Sequence, residues 1–218
     1  MKNKFYLLLL LLISILTMNF QCGKPIVTVP YDHTFDIPVG IYPLQKTYTL
    51  TDTIWLETDV TGKILYDTKT SQYILSDTGQ ISFGGVFNVF GTSLTNPSDG
   101  FCDIITKDGV NINRWNSQWG TSGSLENFGC SDTSYRCKIG FKPNHTGTYW
   151  LVLSSCNLGS CFDKIIPYYS SINYHYKSVD LNLDVLNTVS DNDLGGRQNR
   201  SWYTDRILKR EIFVFRVQ

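Results

Sequence analysis

Three histidines, His33, His145 and His175, are the imidazoles this chain could use as a general base near neutral pH. Each sits in a setting with a plainer explanation. His145 falls in Pro143-Asn144-His145-Thr146-Gly147, a string of turn formers. His33 follows Tyr31-Asp32, and His175 alternates with tyrosines in Asn173-Tyr174-His175-Tyr176, which reads as a strand. No nucleophile motif accompanies any of them, so no catalytic residue is assigned and the chain reads as a non-enzyme. A hydrolase with paired carboxylates ranks last among the function classes. Only Glu57, Glu126 and Glu211 are glutamates, and none forms an evident pair.

Metal chemistry finds little more. Asp191-Asn192-Asp193-Leu194-Gly195-Gly196 opens like a calcium loop, in which alternate oxygens surround a hard cation. Gly195 then stands where a third ligand is needed, and Trp202 where the closing glutamate belongs, so an ordinary surface turn is expected. The six cysteines, Cys22, Cys102, Cys130, Cys137, Cys156 and Cys161, lack the CxxC spacing of a zinc site. Their short separations make Cys130 with Cys137 and Cys156 with Cys161 the natural disulfide candidates; with Cys22 set aside Cys102 is left over, and with Cys22 available three disulfides are possible. No metal and no cofactor is expected.

Aromatic side chains in polar company are the better functional candidates. In Asn113-Arg114-Trp115-Asn116-Ser117-Gln118-Trp119-Gly120 the indoles have no periodic apolar neighbours, and the segment reads as a loop. Trp115 and Trp119 could stack on a sugar face or a protein surface, while Arg114, Asn116 and Gln118 bond to its polar groups. The competing reading folds both rings back under the loop as a satellite cluster. Tyr168, Tyr169, Tyr174 and Tyr176 are weaker candidates of the same kind.

The elements that must hold these residues are strands. The 218-residue chain has no alanine and three glutamates, against 5 Trp, 13 Tyr and 12 Phe. That balance disfavours helices and suits pleated, half-buried surfaces. Runs rich in β-formers bounded by turn residues predict strands at 53–58, 63–67, 72–75, 81–90, 101–106, 135–141, 148–154, 179–186 and 211–217. A bulge or bend is expected at Gly84-Gly85. One short helix fits within Trp202–Arg210. Strands at this spacing imply an all-β, antiparallel Ig-like β-sandwich over 47–218, with two small β domains as the alternative. Phe141-Lys142-Pro143-Asn144-His145-Thr146-Gly147-Thr148-Tyr149-Trp150-Leu151-Val152-Leu153 resembles the E–F corner and F strand of immunoglobulin-like domains. The resemblance implies that the Tyr149 hydroxyl bonds back to the corner; Leu151 stands where antibody-type domains carry a cysteine.

Lys2 and Lys4 precede an apolar run from Phe5 to Leu16, the pattern of a secretory signal over 1–21, too short for a permanent span. Cys22 follows the run directly. It resembles the lipidated first residue of bacterial lipoproteins, with Asn19-Phe20-Gln21 departing from the usual residues ahead of it; the alternatives are a disulfide partner or cleavage elsewhere. Residues 22–46 then read as tether and N-terminal extension. As a whole the arrangement resembles exported lipoproteins of Bacteroidota, which implies attachment to a membrane through a lipid anchor, at the cell surface or in the periplasm, but no particular activity. Formal charge is zero, with 19 basic and 19 acidic side chains, and with the export signal this excludes nucleic acid as a partner. A binding module for a glycan or protein is the favoured function; a structural subunit whose edge strands pair with another chain comes second.

Overall fold

The computed structural model describes residues 33–75, 79–80, 82–91, 100–117, 121–127, 133–154, 159–160, 171–194 and 198–218. Fifteen strands and two short helices appear among them. The strands are β1 (Thr34–Tyr42), β2 (Thr47–Tyr48), β3 (Ile54–Thr61), β4 (Ile64–Asp67), β5 (Gln72–Leu75), β6 (Gly79–Gln80), β7 (Ser82–Val89), β8 (Cys102–Asp108), β9 (Val110–Ser117), β10 (Thr121–Asn127), β11 (Ser134–Pro143), β12 (Gly147–Ser154), β13 (Gly159–Ser160), β14 (Ser171–Tyr176) and β15 (Ile212–Val217). The helices are α1 (Leu183–Leu186) and α2 (Arg200–Leu208).

Two mainly antiparallel sheets carry the fold, as the alternating pattern requires. One is seven-stranded, in the order β5-β4-β1-β3-β11-β8 with β14 lying parallel to β1. The other is six-stranded, β2-β15-β12-β7-β10-β9. Inward side chains of both sheets share one core, including Ile54, Leu56, Ile139 and Phe141 of the first and Phe87, Tyr149, Leu151 and Phe215 of the second. Phe87 lies at its centre, stacked on Phe141 with ring centroids 6.0 Å apart and tilted against Tyr149 at 4.7 Å. Such ring pairs add to what area burial alone supplies.

The corner tyrosine is where the local pattern placed it. Tyr149 is fully buried, and its hydroxyl donates to the His145 carbonyl at 2.7 Å. Burial pushes the phenol far up, so it remains a donor across ordinary pH.

Four expectations are corrected. Gly84-Gly85 makes no bulge in β7, because the register runs unbroken from Tyr149↔Val89 to Ser154↔Gly84. Glycine serves packing there: a Cβ on Gly85 would lie 2.8 Å from Phe141 Cζ and 3.0 Å from Leu56 Cδ1, both from the facing sheet. Residues 179–186 are not a strand. The stretch enters α1 through Asn182, a left-handed residue (φ 62°) whose amide group donates to the carbonyls of Gln45 and Val214. Residues 34–42, within the stretch read as a tether, form β1 and pair with three other strands. Val110–Ser117 is a strand, not a loop.

The six-stranded sheet has its outer side partly covered. Along β15 only Arg216 is exposed, since α1 and α2 pack over the face that Ile212 and Val214 present. Trp150, pointing the same way from β12, meets Tyr203 at 5.5 Å and Trp202 at 6.2 Å. On the outer face of the seven-stranded sheet Tyr42, Glu57, Asp59, Ile105 and Lys107 are exposed and Trp55 and Lys138 half-buried.

Candidate functional site

Alternation along β3 sends Ile54, Leu56 and Thr58 into the core and Trp55, Glu57 and Asp59 outward. Direct cross-strand pairing then aligns Trp55 with Tyr42 of β1 on one side and Gly140 of β11 on the other, and Gly140 with Ile105 of β8. Residues directly opposite in antiparallel strands share a face, so Tyr42, Trp55, Gly140 and Ile105 form one row across four strands. Tyr42 is 70% exposed.

Gly140 explains the posture of the indole. A Cβ there would lie 2.8 Å from Trp55 Cζ3, 3.0 Å from its Cε3 and 2.7 Å from Thr53 Cγ2. The six-membered ring therefore occupies the space that a side chain at position 140 would take. Lys107 Nζ lies 4.8 Å and Lys138 Nζ 5.8 Å from the ring centroid, close enough for cation–π attraction. Lys138 also donates to Glu57 Oε2 at 2.9 Å, and Arg136 to Asp59 Oδ2 at 3.1 Å. Among the described residues Lys107 has no ion pair. An aromatic row rimmed by charged groups of both signs is a surface that can stack on a ligand and bond to its polar atoms.

Two of the three histidines are held by carboxylates. His175 Nδ1 donates to Asp36 Oδ1 at 2.8 Å across the parallel β1–β14 pair, and His33 Nδ1 to Asp67 Oδ2 at 2.9 Å. Asp67 is fully buried, and it also accepts from Thr34 N, Lys69 N and Thr70 Oγ1 at 3.0, 3.1 and 2.7 Å. Burial alone would raise its pKa; the four donors outweigh that and hold it well below the usual carboxylate range. This carboxylate ties the start of β1 to the turn after β4. His145 is exposed at the corner, its ring edge-on to Phe101.

Of the residues singled out beforehand, Arg114, Trp115 and Asn116 lie on β9, whose side chains are outside the described residues, as are Gln118 and Trp119. Trp115 pairs with Gly123 of β10. Tyr174 and Tyr176 are buried, so neither is a ligand contact, and the Tyr176 hydroxyl donates to the Leu151 carbonyl at 2.9 Å. Tyr168 and Tyr169 lie outside the described residues. Asp191 accepts from Arg200 at 2.7 Å and Asp193 from Ser190 at 2.6 Å, the bonds of a turn. Cys137 and Cys102 are buried in β11 and at the start of β8, while Cys22, Cys130, Cys156 and Cys161 lie outside the described residues.

Sequence reasoning missed Trp55. The signal was present, because the core pattern Ile54, Leu56, Thr58 leaves the intervening tryptophan facing out.

No family model matches the chain, and no curated protein matches it. Among solved structures the chain is similar to the seventh ScaB type I cohesin of Pseudobacteroides cellulosolvens. Identity is 10% and the TM-score 0.26, over 66% of this chain and 87% of that one. A likeness of that size carries no functional argument.

Proposed function

We propose that this protein is a non-enzymatic binding module whose ligand face is the outer side of the seven-stranded sheet, with a glycan as the ligand. The observation that carries this reading is the row of Tyr42, Trp55, Gly140 and Ile105, in which the Trp55 ring sits over the glycine of the neighbouring strand. A pyranose ring stacks on such a face through its axial C–H bonds. Lys107, Lys138 and Glu57 stand beside it to exchange hydrogen bonds with hydroxyls. Trp115 and Trp119, with Arg114, Asn116 and Gln118, remain a second candidate contact region of the same chemistry.

The module acts outside the cytoplasm in this reading, carried there by the signal over 1–21 and held to the membrane by lipid on Cys22. The charged n-region and apolar run support export, and the position of Cys22 directly after them supports the anchor. No helix among the described residues is long and apolar enough to cross a membrane.

A glycan array probed with the parent protein and with Tyr42→Ala, Trp55→Ala, Trp115→Ala and Trp119→Ala tests the ligand face. Binding should fall about tenfold or more in the first two variants, the scale of losing one stacked aromatic anchor. Tyr42→Ala should leave thermal stability unchanged, since that side chain is largely solvated. A parent that binds no glycan, or variants at 42 and 55 that bind as the parent does, would sink the reading. Loss confined to Trp115→Ala or Trp119→Ala would move the ligand to β9 and the turn beyond it.

A further inference from the structure

A second surface on the same sheet has a different character. In the β4–β5 hairpin, Ile64 pairs with Leu75 and Tyr66 with Tyr73, and all four side chains point outward. Tyr73 is 75% exposed and Leu75 60%, and the two tyrosine rings lie 5.3 Å apart. Contiguous exposed apolar groups are a mark of interaction sites in soluble domains. Among the described residues β5 is hydrogen-bonded on one side only, to β4.

We propose that β5 is a self-association edge at which a second copy of this chain adds its own β5 in antiparallel register. Protein edge strands are usually blocked by charge, proline or a bulge, and Gln72-Tyr73-Ile74-Leu75 carries none of these. Two identical strands can therefore meet without like-charge repulsion. A two-fold axis through Ile74 sets Tyr73 opposite the second copy's Leu75, which keeps outward residues facing outward residues. The apolar strip of one hairpin then runs on into the other, and the sheet continues through the dimer. Four residues of strand plus this strip bury less than the roughly 800 Å² per partner of a standard stable interface, so the dimer is weak and concentration-dependent.

The test is sedimentation velocity of the full-length protein over a hundredfold range of concentration, beside Tyr73→Lys and the control Leu208→Lys, which changes an exposed apolar residue of α2 away from the hairpin. The parent and the control should shift toward a dimer as concentration rises. Tyr73→Lys should weaken association roughly tenfold or more while keeping the parent's thermal melt. A parent that stays monomeric throughout, or a Tyr73→Lys protein that dimerises like the parent, overturns the proposal. A Tyr73→Lys protein with a lowered melt is replaced by Leu75→Lys, for which the same two outcomes apply.

Discussion

Asp67 is the residue on which the β1 end of the molecule is most sensitive to chemistry. Its carboxylate, removed from water, is the shared acceptor for His33, Thr34, Lys69 and Thr70. A carboxyl held below its unfolded value contributes stability that is present above the unfolded pKa, about 4, and is lost as pH falls through that region toward the folded value. Asp67→Asn should therefore destabilise the protein by about 2–3 kcal/mol at pH 7, since a buried charged acceptor of four hydrogen bonds is replaced by a neutral amide. Chemical denaturation at neutral pH and near pH 3 checks this, and the gap between parent and variant should narrow in acid. A gap equal at both pH values would show that the carboxylate's charge is not what matters. This network was illegible in the sequence, because Asp67 sits in a strand end and its donors come from 33 to 70. Tyr149 was legible because its acceptor lies only four residues upstream.

At the scale of elements, period-two alternation located most strands but not what covers them. β15 illustrates the difference: period two puts Ile212, Val214 and Arg216 on one face, and two of those three are buried because α1 and α2 pack on that face. The same gap hid α1, whose residues Leu183–Leu186 alternate like a strand. Their conformation follows from Asn182 bonding to Gln45 and Val214, contacts that no local window contains. β7 shows the reverse error, where a local rule about glycine was outweighed by the facing sheet. Substituting Gly85→Ala should cost roughly 1–3 kcal/mol, because Phe141 and Leu56 must yield to the new methyl group. Thermal unfolding measures it. An unchanged melting temperature would mean that the two sheets separate freely at that point. Trp55 belongs to this scale as well, since an indole seated over Gly140 requires the pairing of β3 with β11, which the sequence does not announce.

For the whole molecule, a single core reaching across both sheets predicts one cooperative unfolding transition in place of the two expected of separate β domains. That core is also rich in buried phenols. Burial pushes Tyr48 up to about 12 and Tyr176 well above its ordinary value. Groups whose folded pKa is raised contribute stability that is intact below the unfolded pKa, near 10, and declines as pH rises beyond it. The protein should accordingly lose stability between about pH 10 and 12, and the ultraviolet signal of tyrosine ionisation should appear together with unfolding. Ionisation of every tyrosine in a protein that keeps its native circular dichroism would contradict this.

β1 is joined in parallel to β14, and β15 sits between β2 and β12. Strands early in the described fold thus wait for strands much later in it, and β12 has no partner on its β15 side until residues 212–217 have been made. Pairings between such distant parts of a chain are slow to form, because the loop between them must close before any contact rewards it. A nascent chain of this topology therefore closes its core only when Ile172, Tyr174 and Tyr176 of β14 and Phe213 and Phe215 of β15 have been added.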